Sequence, residues 1–499
     1  VLLETADTCW KIARADRFAV LMENELYFRA VCSALDKAQR SILLLGWQFD
    51  PRTRLDPNPV RRHHTDEIGH MLRRLVRERP ELKIKMLIWR MPLPIAWSQD
   101  FFPQRSKAWF RNKPIDFRLD RAGPVGACHH QKVLVVDDRI AFCGGGDIST
   151  DRWDTALHLD REPRRMLPRG MPYAPRHEVM TLCSGPAARA LGSLFRARWL
   201  AATGEGLAEL SETDLDGHDP WPDGVAPDLT DIDMALARTA PAWRGRVEHR
   251  ENERLHLRAI AQARSLIYLE NQYVTSPLIG AALAARLEEK DGPEVAIVSH
   301  VHSPSWFDQA TMDRSRNVLL ARLREADRYG RLSAWAPRTT GGKPIIVHSK
   351  LTLIDDRLLR VGSTNLNNRS GGFDTECDVA LEAKAPTDRL CELIRTVRAH
   401  ELGHFLGVEA SRFEAAYRQA GTIAGAIGAL NLAGRLIPLG GPPTPLCRFI
   451  ARTQLGDPAS SADSWRPWRR LGRSELLRDA ARAEPSAVAP ESAPLRSGR

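Results

Sequence analysis

The chain has 499 residues, 43% hydrophobic and 27% charged, which is too long for one ordinary core and too apolar to be largely unfolded. A formal net charge of +10 and a pI near 9.4 favour anionic partners: nucleic acid, an acidic membrane surface or a phosphorylated small molecule. The eight cysteines form no CxxC pair and read as free thiols of a reducing compartment, and no signal peptide or membrane-spanning run is visible.

In chain order, "AQRSILLLGWQFD" (38–50) runs from a helical end into a short buried strand, and "LKIKMLIW" (82–89) is the next strand. "HHQKVLVVDDRIAFCGGGD" (129–147) then places two β-rich runs around Asp-Asp-Arg, a hairpin signature. A helical segment at 185–201 closes this copy. Residues 203–231 are acidic and rich in Gly and Pro, so a linker is expected over 203–240. Beyond it the same order recurs: "ARSLIYLENQYVT" (263–275), "EVAIVSH" (294–300), "HSKLTLIDDRLLRVGSTN" (348–365) and a helix over 387–407.

The expected fold is therefore α/β, with two similar α/β sandwich halves, 1–202 and 241–410, related by a pseudo-two-fold axis. Residues 411–455 read as a C-terminal helical extension, in which "AGTIAGAIGALNLAG" (420–434) is a helix packed on the second half rather than a membrane insert. Residues 456–499 read as a disordered basic tail. Within it "SWRPWRRLGR" (464–473) interleaves Trp with Arg, as a peripheral anchor for anionic lipid does, or equally a solvated tail.

Strand side chains alternate faces, so His130 and Lys132 project to one side, as do His348 and Lys350. Asp137 and Asp355 complete His-x-Lys-x4-Asp in both copies, and parity sends them to the opposite face or the turn, as fasteners of the motif. One such unit is an ordinary hairpin; two, in a duplicated fold, converge on one ligand. That constellation suits a phosphodiester. Lysines and glycine-turn amides offset the charge on phosphorus-bound oxygens, a neutral histidine attacks, and a protonated one donates to the leaving oxygen. No metal or other cofactor is expected, because the adjacent His129 and His130 point to opposite faces and cannot share an ion. Each imidazole needs an acceptor for its second ring nitrogen, and Glu178 and Glu376 stand at equivalent places in the two copies; which orients which stays open.

These residues resemble the paired motifs of the phospholipase D superfamily in its eukaryotic-type branch. The first copy carries Gly144, Gly145, Asp147, Arg152, Trp153 and Asp154 in the matching places, and the second carries Gly362, Ser363, Asn365 and Arg369. The likeness covers roughly residues 36 to 405. It implies a phospholipase D-like fold and a metal-independent hydrolase with catalytic residues His130, Lys132, Asp137, His348, Lys350 and Asp355. His130 is the implied nucleophile that forms a phosphohistidine, His348 the acid and then base, and Gly145, Asp147, Ser363 and Asn365 the phosphate-binding residues.

The substrate so implied is a phosphatidylcholine-like phospholipid at a membrane surface, cleaved to phosphatidic acid and head-group alcohol, with water or a primary alcohol as acceptor. A cardiolipin or related phospholipid synthase, a phosphodiesterase nuclease and a non-catalytic scaffold are the rival readings. Nucleic acid is not the expected partner, since part of the basic excess lies in the tail. With both motifs in one chain, a monomer is expected, bacterial, and cytoplasmic or peripheral on a membrane.

Overall fold

The computed structural model describes residues 1–57, 66–92, 102–211 and 217–465. The first copy supplies β1 (Lys11–Met22), β2 (Ser41–Gly46), β3 (Lys83–Trp89), β4 (Ile115–Asp120), β5 (Val133–Val136), β6 (Ile140–Gly144), β7 (Arg176–His177) and β8 (Val179–Ser184). The second supplies β9 (Leu229–Ala240), β10 (His249–Arg250), β11 (Leu266–Asn271), β12 (Glu294–Val298), β13 (Leu332–Pro337), β14 (Ile346–Val347), β15 (Lys350–Ile354), β16 (Leu358–Gly362) and β17 (Glu376–Glu382), with β18 (Leu436–Pro438) beyond it.

One sheet runs β4-β3-β2-β5-β6-β8-β1-β9-β17-β16-β15-β11-β12-β13-β18, with β10 on β9. Outward from the β1·β9 seam, the two arms repeat each other strand for strand until β18. The pairs β2·β3, β3·β4, β11·β12 and β12·β13 are parallel, and the inner pairs of both arms are antiparallel. The two arms thus share one strand order. The seam itself is antiparallel, Lys11 opposite Leu236 and Phe18 opposite Leu229.

Alternation along β5 and β15 sorts the core into layers. Val133, Val135, Leu351 and Leu353 face one shared apolar layer with the helices Pro186–Thr203 and Arg389–Leu406. Leu134 and Val136 face the layer under Asn24–Lys37 and Ile68–Glu78, while Ile354 faces the one under Glu251–Gln262 and Pro277–Glu288. Both helices of the shared layer stop on a left-handed glycine, Gly204 at φ 78° and Gly407 at φ 73°, which closes the last turn without a Cβ clash.

Two expected boundaries move. Residues 229–240, placed in the linker, form the central strand β9, in which Met234, Ala235, Leu236 and Ala237 are fully buried; the Asp and Thr residues around them disguised a strand as acidic linker. The stretch 456–465, placed in the tail, is folded against the second copy. Asp457 is buried and accepts hydrogen bonds from Thr275 Oγ1 (2.8 Å) and the Arg369 amide (3.0 Å). The Trp/Arg stretch lies outside the described residues from 466 on. In the helical extension, Ile423–Leu430 buries Ile423, Ala426 and Ile427 in the shared layer. No described helix is long and apolar enough to cross a membrane, and all eight cysteines are unpaired thiols.

Candidate active site

Each motif enters the sheet beside the other copy's glutamate. The His130 amide donates to the Thr375 carbonyl at 2.9 Å, one residue ahead of Glu376. The His348 amide donates to the His177 carbonyl at 2.9 Å, one residue ahead of Glu178, and β14 pairs in parallel with β7. The side chains cross in the same way. His130 Nδ1 lies 2.9 Å from Glu376 Oε2, and His348 Nδ1 lies 2.6 Å from Glu178 Oε2. Each half-site is completed by the opposite copy, a pairing that linear spacing could not reveal.

The lysines are within electrostatic reach of these couples: the charges of Glu178 and Glu376 both act on Lys350, and that of Lys132 on His348. Lys132 Nζ is 3.4 Å from Asp147 Oδ2 and donates to the His130 carbonyl at 2.8 Å. Lys350 Nζ donates to Gln272 Oε1 at 3.1 Å and to the His348 carbonyl. Burial pushes Lys350 down to about 7, reinforced by Lys132 and Arg176 and opposed by Glu178 and Glu376. Burial likewise holds His348 well below its ordinary value, with Lys350, Arg176, Arg152 and Lys132 adding to the effect. Glu178 moves up, again chiefly by burial, while Lys350, His177 and Arg176 pull it back. Both partners of the His348–Glu178 couple therefore resist charge at rest.

Arg152 and Arg176 also adjoin the site, a place not assigned to them from the sequence. Both are buried, and their charges reach His348. Arg152 Nη2 donates to Gln48 Oε1 at 2.9 Å, and both guanidiniums share Asp151 Oδ2, at 2.7 and 3.4 Å. Trp47, stacked on Trp89 at 5.9 Å between centroids, presents its face edgewise to His130 at 6.3 Å. Their sequence signal was confined to the "RWD", "RHE" and "GWQFD" stretches.

Several site assignments are corrected by placement. Asp137 does not touch the reacting groups: its carboxylate accepts from the amides of Gln39 (2.8 Å), Arg40 (2.7 Å) and Ser41 (2.7 Å), clamping the turn ahead of β2. Asp355 does the same for Ser265 (2.8 Å) and Leu266 (2.9 Å) ahead of β11. Both are fasteners, as parity requires, and neither belongs with the catalytic groups. The aspartates that follow them anchor the shared helices, Asp138 to Arg196 and Asp356 to Arg395 (3.1 Å) and Arg398 (2.8 Å).

Among the expected phosphate-binding residues, Ser363 is fully buried, and its hydroxyl donates to Glu376 Oε2 at 2.5 Å. Asp147 accepts from the amides of Trp47 (2.8 Å) and Gln48 (3.0 Å), a carboxylate spent on backbone and Lys132. Gly145 provides room rather than a contact, since a Cβ there would stand 2.6 Å from Glu178 Oε1 and 3.1 Å from Lys350 Cδ. Asn365 Oδ1 is buried without a hydrogen-bond partner, as is Asp147 Oδ2, which faces only the Lys132 ammonium at 3.4 Å. His129 turns away from His130 to Asp120, Nε2 to Oδ1 at 3.2 Å.

A family model described as "Cardiolipin synthase, PLD-like domain" matches residues 256–397. Over 423 residues the chain is 25% identical to Phospholipase D A of Dictyostelium discoideum, covering 70% of this chain and 32% of that protein. It is 24% identical over 460 residues to Phospholipase D alpha 4 of Arabidopsis thaliana, covering 69% and 59%. The chain thus carries a PLD-like domain in its second copy and resembles curated phospholipases D over about 70% of its length. It spans less than two thirds of the length of these curated relatives. The phospholipase D-type fold extends along most of the chain: the crystal structure of a phosphatidylserine synthase from Haemophilus influenzae Rd KW20 superposes with TM-score 0.55 at 12% identity, covering 94% of this chain and 97% of that one.

Proposed function

We propose that the protein is a phospholipase D-type phosphodiesterase that cleaves the distal phosphodiester of phosphatidylcholine-like glycerophospholipids. The observation that carries this reading is the crossed arrangement of His130–Glu376 and His348–Glu178 around two lysines. Glu376 holds the His130 ring through Nδ1, leaving Nε2 to attack phosphorus. A P–N bond forms as the P–O bond to the head group breaks, and His348, protonated as the anionic substrate binds, gives its proton to the departing alkoxide. Water then loses a proton to His348 and attacks phosphorus; the P–N bond breaks, and phosphatidic acid leaves. A primary alcohol can replace water in this second step, giving transphosphatidylation.

Lys132, Lys350, Arg152 and Arg176 offset the charge on the equatorial oxygens, and Asn365 is the side chain best placed to add a contact to them. Both half-sites come from one chain, so a monomer suffices. The phospholipase D relatives favour lipid over nucleic acid as substrate.

The test compares choline release from phosphatidylcholine vesicles with nucleotide release from single-stranded DNA, and looks for phosphate on His130 by mass spectrometry after brief exposure to lipid. Choline release with a labelled His130 is expected. Nucleotide release without choline overturns the substrate; turnover with no phosphorylated imidazole overturns the covalent route.

A further inference from the structure

Along the chain leading to the site, His177 alternates with Glu178 and Ser349 with His348 and Lys350, so both project to the other side of the sheet. There they enter a buried collection of groups that phosphodiester cleavage does not use. Glu23 comes from the turn after β1, His158 from the loop beyond the first motif, Glu270 from β11, and Glu401 and His404 from the helix Arg389–Leu406.

One carboxylate oxygen, Glu23 Oε1, lies 2.5 Å from His177 Nδ1, 3.2 Å from His158 Nε2 and 3.5 Å from His404 Nε2. The three imidazoles surround it, with ring centroids 5.1, 5.5 and 6.1 Å apart. Metal–nitrogen bonds of about 2.0–2.1 Å in a tetrahedron put donor atoms about 3.3 Å apart and ring centroids about 5 Å apart. The 3.2 and 3.5 Å separations from Glu23 Oε1 and the 5.1 and 5.5 Å ring separations lie near those values, and the His177 contact is shorter.

The outer nitrogen of each ring is held from behind. His158 Nδ1 lies 3.0 Å from Asp154 Oδ2, His404 Nδ1 lies 3.2 Å from the His400 carbonyl, and His177 Nε2 contacts Glu270 and lies 3.2 Å from Glu401 Oε2. Glu270 is itself fixed by Tyr268 Oη at 2.8 Å and by Ser349 Oγ. Acceptors behind the rings fix which nitrogen faces inward, the usual support of metal-binding histidines. The nitrogens that face Glu23 Oε1 from two of the rings, His158 Nε2 and His404 Nε2, are buried and make no hydrogen bond, and around them Glu23 Oε2, His177 Nε2 and both Glu401 carboxylate oxygens are also without one. In a network satisfied by protons alone, such atoms would be paired.

We propose that Glu23, His158, His177 and His404 bind one divalent transition-metal ion, with zinc the best match to three imidazoles and a carboxylate in a closed, buried site. The ion is structural. It ties the turn after β1, the 158 loop and the Arg389–Leu406 helix to His177, whose carbonyl receives the His348 amide and whose neighbour, Glu178, holds the His348 ring. The site does not depend on which phosphodiester is cleaved.

The test uses the full chain without an affinity tag, supplied with zinc and dialysed exhaustively before elemental analysis. One equivalent of zinc per chain is expected, and cobalt(II) in its place gives the intense visible bands of a tetrahedral site. His158→Gln and His404→Gln should each weaken retention at least about tenfold while the far-UV circular dichroism is kept. Should a variant fail to fold, the stoichiometry and cobalt spectrum of the unaltered chain still decide. A folded chain that retains neither ion overturns the site, and so does stoichiometric binding that survives both substitutions.

Discussion

The two half-sites share a motif but not an environment. Glu376 receives hydroxyls from Ser363 (2.5 Å) and Ser370 (2.6 Å) besides facing His130, so its charge is well solvated by fixed donors. At the place of Ser363 the first copy has Gly145, and among the described residues the one side-chain hydrogen bond Glu178 receives beyond His348 is from the Val179 amide, at 3.2 Å. His130 keeps 14% of its side chain exposed beside Trp47, whereas His348 is more deeply buried and feels the charges of two lysines and two arginines. On the proposed mechanism, the differences around the two histidines suit His130 to the role of nucleophile and His348 to that of a group that takes up its proton as the anion arrives.

The sharpest way to break this comparison is to remove the histidines. His130→Ala and His348→Ala should each lower lipid turnover by at least about 10⁴-fold, since the two act as a unit. A p-nitrophenyl phosphodiester separates them, because its leaving group needs no proton. His348→Ala should still become phosphorylated on His130, while His130→Ala should take no label; phosphate on His348 in the latter would exchange the roles.

The glutamates come next. His130 Nδ1 has a second acceptor, the Ser363 carbonyl at 3.0 Å, which can hold the ring when Glu376 is replaced. No second acceptor faces His348 Nδ1 among the described residues. Glu178→Gln should therefore cost kcat on the order of 10³-fold and Glu376→Gln on the order of 10²-fold, both below the histidine losses. Equal losses would mean that the Ser363 carbonyl contributes nothing to ring orientation.

Proton affinity sharpens the comparison further. Lys350, pushed down to about 7, loses its charge as pH rises through neutrality in the free protein, so attraction for the anionic substrate weakens on the alkaline side. kcat/KM should fall by up to about tenfold per pH unit above neutrality, while kcat holds to higher pH, because bound phosphate returns the proton to Lys350 and His348. A KM that stays flat from about pH 6 to 9 would show that Lys350 remains charged throughout.

Much of this was legible in the chain. Period-2 alternation put His130 with Lys132 and His348 with Lys350 on one side of their strands, and excluded Asp137 and Asp355 from that side, because strand parity is local. The linker composition concealed β9, whose burial comes from β1 and β17 on either side and not from its own apolar content. The crossing of Glu376 to His130 and of Glu178 to His348 depends on how the copies join, which no window of sequence contains. The same holds for the Glu23, His158, His177 and His404 cluster, four elements brought together only by the completed sheet.

The smallest effect tests the fasteners, and it leaves turnover alone. Asp137 is fully buried with three backbone amides and His218 Nε2 (3.0 Å) on its carboxylate, while Asp355 is partly exposed and can recruit water when a bond is lost. Asparagine keeps one accepting oxygen but turns an NH₂ group toward an amide that needs an acceptor. Asp137→Asn should cost about 2–3 kcal/mol and Asp355→Asn about 1 kcal/mol, read from urea midpoints, with kcat of the folded fraction unchanged for both. A fall in kcat for either, without loss of stability, would return that aspartate to the reacting groups and undo the parity argument that separates it from them.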